Sequence, residues 1–254
     1  MAYFAKYRLD DFDDQVDFIK KQQFGCLISQ HEQGMLSTSL PFFVEEGSVS
    51  ADQKTLTLVA HMSTINPQYK TPLAREEVLL VFTGPNTYIA PVWSPSKKVD
   101  HKVVPTWNYG TVQAYGIISY DTEKDHKRQA VSALTNANEK DRAEPWKVSD
   151  APAAYTNILL DAIVVVRVRV TRMLGIHKYS QDKPESDRQG IVEGLQEEGS
   201  QCPRAKAVAE VMRPSSQMEK PPQRTTSLNL VVMLSVCVCL IAWFSFLSLP
   251  KRAA

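Results

Sequence analysis

Residues 163–171 read IVVVRVRVT, and this stretch decides the fold class. Arg167 and Arg169 alternate with Val166, Val168 and Val170, so successive side chains take opposite sides of an extended chain, one face apolar and buried, the other wet. A helix would need its apolar positions about three to four residues apart. Working outward, residues 24–29, 56–61, 78–82, 88–91, 103–107 and 112–120 are short β-branched or aromatic runs bounded by turn residues, and each is expected to be a strand. Helices are expected between them. Residues 13–21 carry Val16, Phe18 and Ile19 behind acidic residues fit to cap, residues 124–136 carry Ala130, Val131 and Leu134, and residues 151–160 start after Asp150 with Pro152 in the first turn. Many strands with few helices predict a mainly β chain with peripheral helices, an α+β arrangement around a small β-barrel over residues 1–196.

The 254 residues are 43% hydrophobic, enough for a packed core, and 29 basic against 28 acidic residues leave no field to hold a polyanion. Direct nucleic-acid binding is therefore not expected. Cys26, Cys202, Cys237 and Cys239 show no C-x-x-C spacing, and histidines 31, 61, 101, 126 and 177 show no metal spacing. No glycine-rich phosphate loop and no nucleophile–base motif is present, so any catalysis would have to come from a bound cofactor.

Residues 197–227 are broken by Gly199, Pro203, Pro214, Pro221 and Pro222 and are expected to form a flexible linker. Residues 204–212 within it can form a short helix only if something packs on it. Residues 228–249 contain no charge, and at ~1.5 Å per residue such a run crosses the ~30 Å hydrocarbon layer of a bilayer, so it is expected to be a single transmembrane helix, a tail anchor. Arg204, Lys206, Arg213, Lys220 and Arg224 precede the run while only Lys251 and Arg252 follow it, and residues 1–15 lack the apolar core of a signal peptide. The expectation is a single-pass membrane protein with its N-terminal domain in the cytoplasm.

A series of segments, in order, resembles the PaiB-like group of the FMN-binding split-barrel superfamily. Phe24-Gly25-Cys26-Leu27 and Ser39-Leu40-Pro41-Phe42 are similar to its first two strands, and residues 61–68, HMSTINPQ, to its His-x-x-x-x-Asn-Pro-Gln signature. Phe82-Thr83-Gly84-Pro85, Tyr88 through Trp93, Lys97, and residues 104–109, VPTWNY, continue the order. Leu134-Thr135 with Glu139, Trp146, Lys178-Tyr179-Ser180-Gln181 and Asp187-Arg188-Gln189-Gly190 complete it. The resemblance implies a split barrel that pairs into a homodimer, with FMN near the subunit interface. A phosphate monoester needs cations and N–H or O–H donors, and an isoalloxazine needs a flat apolar wall and polar contacts at its edge. The resemblance assigns these parts to His61, Lys97 and Lys178 as cations, to Asn66, Thr106, Asn108, Ser180 and Gln181 as polar contacts, and to Trp107, with Trp93, as the wall.

Each residue also has a plainer reading: Trp107 as a packed aromatic, His61 as a backbone partner, Lys97 as a solvated loop lysine, Asn66 as a turn starter, and residues 178–181 as turn chemistry. The chain departs from the family pattern at Thr64, where a basic residue is usual, at Ser94, where a tyrosine is usual, and at Asp182, where an asparagine is usual. Thr64 and Asp182 both weaken an anion site. Three functions remain open at this point: a membrane-anchored flavin-dependent oxidoreductase or flavin-binding protein, a non-catalytic transcriptional regulator, and a dimeric scaffold without flavin.

Overall fold

The computed structural model describes residues 2–213, with side chains from residue 5 onward, so the expected span at 228–249 lies outside the described residues. Among the described residues no helix is long and apolar enough to cross a membrane. The chain enters through a 3-10 turn, Ala2–Tyr7, and continues through β1 (Arg8–Leu9), α1 (Phe12–Lys21), β2 (Phe24–His31), β3 (Gly34–Pro41), β4 (Phe43–Val44), β5 (Leu56–Ser63) and the single turn α2 (Pro67–Lys70). There follow β6 (Glu77–Ile89), a 3-10 turn (Pro91–Trp93), α3 (Lys97–Asp100), β7 (Thr106–Asp121), α4 (Lys124–Glu139), α5 (Ala153–Asp161), β8 (Ile163–Lys178), α6 (Glu185–Gly199) and α7 (Pro203–Met212).

The strands form an antiparallel sheet in the order β3-β2-β6-β7-β8-β5-β4, with β1 paired to β8. Its edge strands β3 and β4 are consecutive in the chain and separated by Phe42 alone, which is fully buried and meets Phe82 edge to face at 5.9 Å. The two edges thus meet at one corner, consistent with the small β-barrel that the strand pattern predicts and the split barrel that the resemblance implies. Leu27, Leu58, Leu80, Phe82, Val112 and the valines 164, 166 and 168 fill the interior at 0% exposure.

The alternation in β8 is as predicted on its inner face, but the outer face is not simply wet. Val165 is also fully buried, because Ala130 of α4 packs with it and with Val59. Arg167, on the same outer side, binds Asp121 at 2.8 Å and Glu45 at 3.2 Å. The runs at 78–82 and 88–91 are one strand, β6, interrupted by an irregularity between Thr83 and Asn86. The run at 103–107 joins β7 only at Thr106; Pro105, lacking an N–H, stands just before the ladder begins. Asp11 caps α1 by accepting a 3.0 Å bond from the Asp14 N–H.

The expected linker is corrected at its start. Helix α6 runs to Gly199, and α7 packs Ala205, Val208, Ala209 and Met212, all at most 4% exposed, against Ile89, Tyr179, Ile191 and Leu195. A ten-residue helix is marginal alone, and this second core is the packing it needs. The Asp187-Arg188-Gln189-Gly190 segment has a mechanical role here. Asp187 accepts bonds from Ser96 N at 3.0 Å and Ser96 Oγ at 2.6 Å, and these hold its carboxyl below the ordinary range. Glycines 190 and 194 let α6 lie directly on the Trp93 carbonyl and indole. Gly190→Ala would drive a methyl into backbone, so a loss of roughly 1–3 kcal/mol in unfolding free energy is expected by urea denaturation; a change near zero would show that α6 can shift away.

Candidate functional site

At the start of β7 and the end of β8 the chain brings together the densest group of predicted site residues. Tyr109 stands opposite Lys178, so Thr106, Trp107 and Asn108 of β7 face the turn that follows β8. Lys178 Nζ donates to Thr106 Oγ1 at 2.6 Å and to the Trp107 carbonyl at 2.6 Å. Both partners are neutral oxygens. Burial pushes the Lys178 ammonium below its ordinary range, while the Asp182 carboxylate nearby acts in the opposite sense. The hydrogen-bond partners of Lys178 among the described residues are thus neutral, and the carboxylate acts on it through space.

Beside it lies an aromatic surface. Tyr88 and Trp107 are cross-strand partners on β6 and β7, 6.5 Å apart and edge to face, exposed by 47% and 46%. Trp107 Nε1 donates to Asn86 Oδ1 at 3.2 Å, which fixes the indole plane. Of the two tryptophans predicted as a wall, Trp107 offers an open face, whereas Trp93 is packed against α6.

Other predicted residues in this region hold structure. Asn108 and Ser180, exposed by 0% and 3%, bond one another, with Asn108 Nδ2 donating to Ser180 Oγ at 3.0 Å and to Met212 Sδ at 3.4 Å beneath α7. Ser180 sits at φ 60, in left-handed backbone that a side chain adopts at a cost. Gln181 locks that turn: its Oε1 accepts from Tyr179 N at 2.8 Å and its Nε2 donates to the His177 carbonyl. Tyr179 OH donates to the Pro85 carbonyl at 2.6 Å, and burial pushes the phenol well up. Lys97 opens α3, half exposed, next to the Ser96–Asp187 clamp.

His61 and Asn66 are elsewhere. His61 pairs with Val165, which also faces Asp121 at the far end of β7. The thirteen residue steps from Val165 to Lys178 make roughly 40 Å of strand at ~3.3 Å per residue. His61 is half-buried, and burial lowers its imidazole pKa. Asn66 caps α2, its Oδ1 accepting from Gln68 N at 2.8 Å and its Nδ2 donating to Thr38 Oγ1 at 3.1 Å. Thr64 bonds the Ala162 carbonyl through both N (2.9 Å) and Oγ1 (3.2 Å), so the side chain at this departure is a loop fastener. Within one chain, therefore, the predicted residues form two groups at opposite ends of the sheet.

Sequence reasoning missed Lys6 and Tyr7. Lys6 Nζ and Tyr7 OH donate to Asp182 Oδ2 at 2.7 and 2.9 Å. Burial works to raise the Asp182 carboxyl, but these two bonds outweigh it and hold the group below the ordinary carboxylate range. Tyr88 and Asn86 were also unassigned, because only the cross-strand register shows what they stand against.

A half-buried lysine and an open aromatic pair thus stand together at one end of an antiparallel sheet with peripheral helices. The family described as "Putative FMN-binding domain" matches residues 1–172, more than half of the chain, and the chain belongs to that family. FMN is the cofactor this membership assigns; Lys178 to Gln181 lie just beyond the matched residues. An uncharacterized protein of Aspergillus fumigatus is 33% identical over 202 residues, covering 65% of this chain and 77% of that one. Protease synthase and sporulation protein PAI 2 of Bacillus subtilis is 28% identical over 211 residues, covering 83% of this chain and 96% of its own. Among solved structures, a conserved hypothetical protein of Mycobacterium tuberculosis shares the fold at 12% identity and a TM-score of 0.50, covering 71% of this chain and 92% of that one.

Proposed function

We propose that this chain is an FMN-binding protein that works as a homodimer, with the flavin phosphate at Lys178 and Thr106 and the isoalloxazine against Trp107 and Tyr88. The observation that carries the reading is the Lys178 ammonium, half-buried and bonded among the described residues to the Thr106 hydroxyl and the Trp107 carbonyl, beside an exposed aromatic pair. Bound flavin supplies hydride or one-electron transfer, chemistry that none of the motifs sought in the sequence provides. The protein's part is to hold the phosphate and orient the ring. Pairing with a second copy is supported by the separation of the two residue groups: the Lys178 end of one protomer and the His61–Asn66 end of its partner can share one ligand, which the two ends of one strand cannot. The apolar run 228–249 is read as a membrane anchor for this domain.

Titration of the full-length chain with FMN, followed by the visible flavin spectrum and by fluorescence, tests the reading. A shifted spectrum with saturable binding, on a protein that sediments as a dimer, is expected. A chain that leaves the flavin spectrum untouched at high micromolar FMN would remove it, and a monomer holding flavin would remove the shared site.

A further inference from the structure

The Asp182 carboxylate lies beside the lysine that the proposed site depends on, and an unneutralised carboxylate there would cancel the attraction for a phosphate. The fold deals with that charge through its N-terminal segment. β1 pairs with the end of β8, Arg8 opposite Ile176 and Leu9 opposite Gly175. A side chain at 175 would meet the Leu9 carbonyl and Cβ, so glycine there permits the close approach. The preceding turn, Ala2–Tyr7, is thereby laid alongside Lys178. Tyr7 is 8% exposed, with Lys6 Nζ 4.9 Å and Lys178 Nζ 5.9 Å from the centre of its ring. Two ammonium groups therefore border one phenol, and the phenol's hydroxyl and one of those ammonium groups both hold Asp182.

We propose that the Ala2–Tyr7 turn is an electrostatic strap for the anion end of the site: Tyr7 anchors it to Asp182, and Lys6 neutralises that carboxylate so that Lys178 keeps its charge for a phosphate. Lys6 is then a positioning residue that sets the preference for a phosphorylated flavin over the same ring without phosphate. This rests on the reading that Lys178 meets the flavin phosphate. The side chain of Lys6 is 61% exposed, so it holds the carboxylate from the solvent side. Asp182, at 25%, is held in place.

The test compares FMN with riboflavin on the full-length chain by fluorescence titration. Lys6→Ala is expected to weaken FMN by about 10-fold, the size of one charge-assisted contact, and leave riboflavin unchanged. Lys6→Arg should keep the parent affinity, and Asp182→Asn added to Lys6→Ala should bring FMN back to within about 3-fold. Unchanged FMN affinity in Lys6→Ala, or no recovery in the double variant, overturns the proposal. Hydrogen exchange on the flavin-free chain gives a second readout: Asp182→Ala should speed exchange at the Arg8 and Leu9 amides by about 10-fold or more. Exchange that stays at the parent rate overturns the strap even if flavin binds. If the strap behaves as expected while Lys178→Ala leaves FMN affinity intact, the phosphate placement is what fails, and the proposed role of Lys6 goes with it.

Discussion

Lys178→Ala is expected to weaken FMN binding by roughly 10- to 150-fold, the equivalent of about 1.5–3 kcal/mol for a hydrogen bond to a charged group, and to leave riboflavin binding within about 3-fold of the parent. The upper part of that range is the better expectation, because the ammonium is half-buried, its hydrogen-bond partners among the described residues are neutral oxygens, and the nearby Asp182 carboxylate is already engaged by Lys6 and Tyr7. The fold should survive. Removing a partly buried cation relieves its desolvation, Thr106 keeps a hydroxyl that water can satisfy, and the Trp107 carbonyl loses a single bond near the surface. Lys178→Arg should fall between the two, since a planar guanidinium carries the charge but does not reproduce two short bonds from one nitrogen. Isothermal or fluorescence titration with both flavins decides the matter. Equal losses for FMN and riboflavin would mean that Lys178 supports the ring pocket rather than the phosphate.

How much of this was legible in the sequence depends on the range over which each feature is determined. The inner face of β8 could be read from four alternating valines because a strand writes its own period into neighbouring residues. The cap at Asp11 and the turn at Asn66 are equally local. The burial of Val165 was not legible, since it depends on Ala130 from a helix more than thirty residues away. The same holds for Asn108 and Ser180: their residue types suit a phosphate site, and only the packing of α7 over them shows that their polar atoms are spent on one another. His61 and Lys178 belong to one ordered series of segments, yet order along a chain carries no register. His61 of β5 pairs with Val165 near the start of β8, whereas Lys178 ends β8 opposite Tyr109, and that register is what separates them. Lys6 left no mark of its own. The one sequence signal that pointed toward it was the carboxylate at 182, whose charge needed a partner somewhere.

The boundary at the other end of the domain has the largest expected effect of all. A chain ending at residue 202 should lose its cooperative fold, whereas one ending at residue 213 should keep it. Helix α7 buries Val208 and Met212 almost completely, with Ala205 and Ala209 beside them, and this burial contributes roughly 4–7 kcal/mol by area bookkeeping. Cutting α7 away also uncovers Ile191, Leu195 and Tyr179 and strips the cover from the Asn108–Ser180 bond. A loss of that size is comparable with the roughly 5–15 kcal/mol that separates folded from unfolded states in an ordinary domain. The shorter chain should therefore bind a hydrophobic dye and melt without a sharp transition, as a state with secondary structure but loosened packing does. The chain ending at 213 should melt cooperatively, and, with residues 228–249 gone, it should stay in the supernatant when membranes are pelleted while the 254-residue chain goes with them. A cooperative melt from the shorter chain would show that the second core is dispensable. Pelleting of the chain ending at 213 would place the membrane attachment in the barrel domain instead of the apolar run.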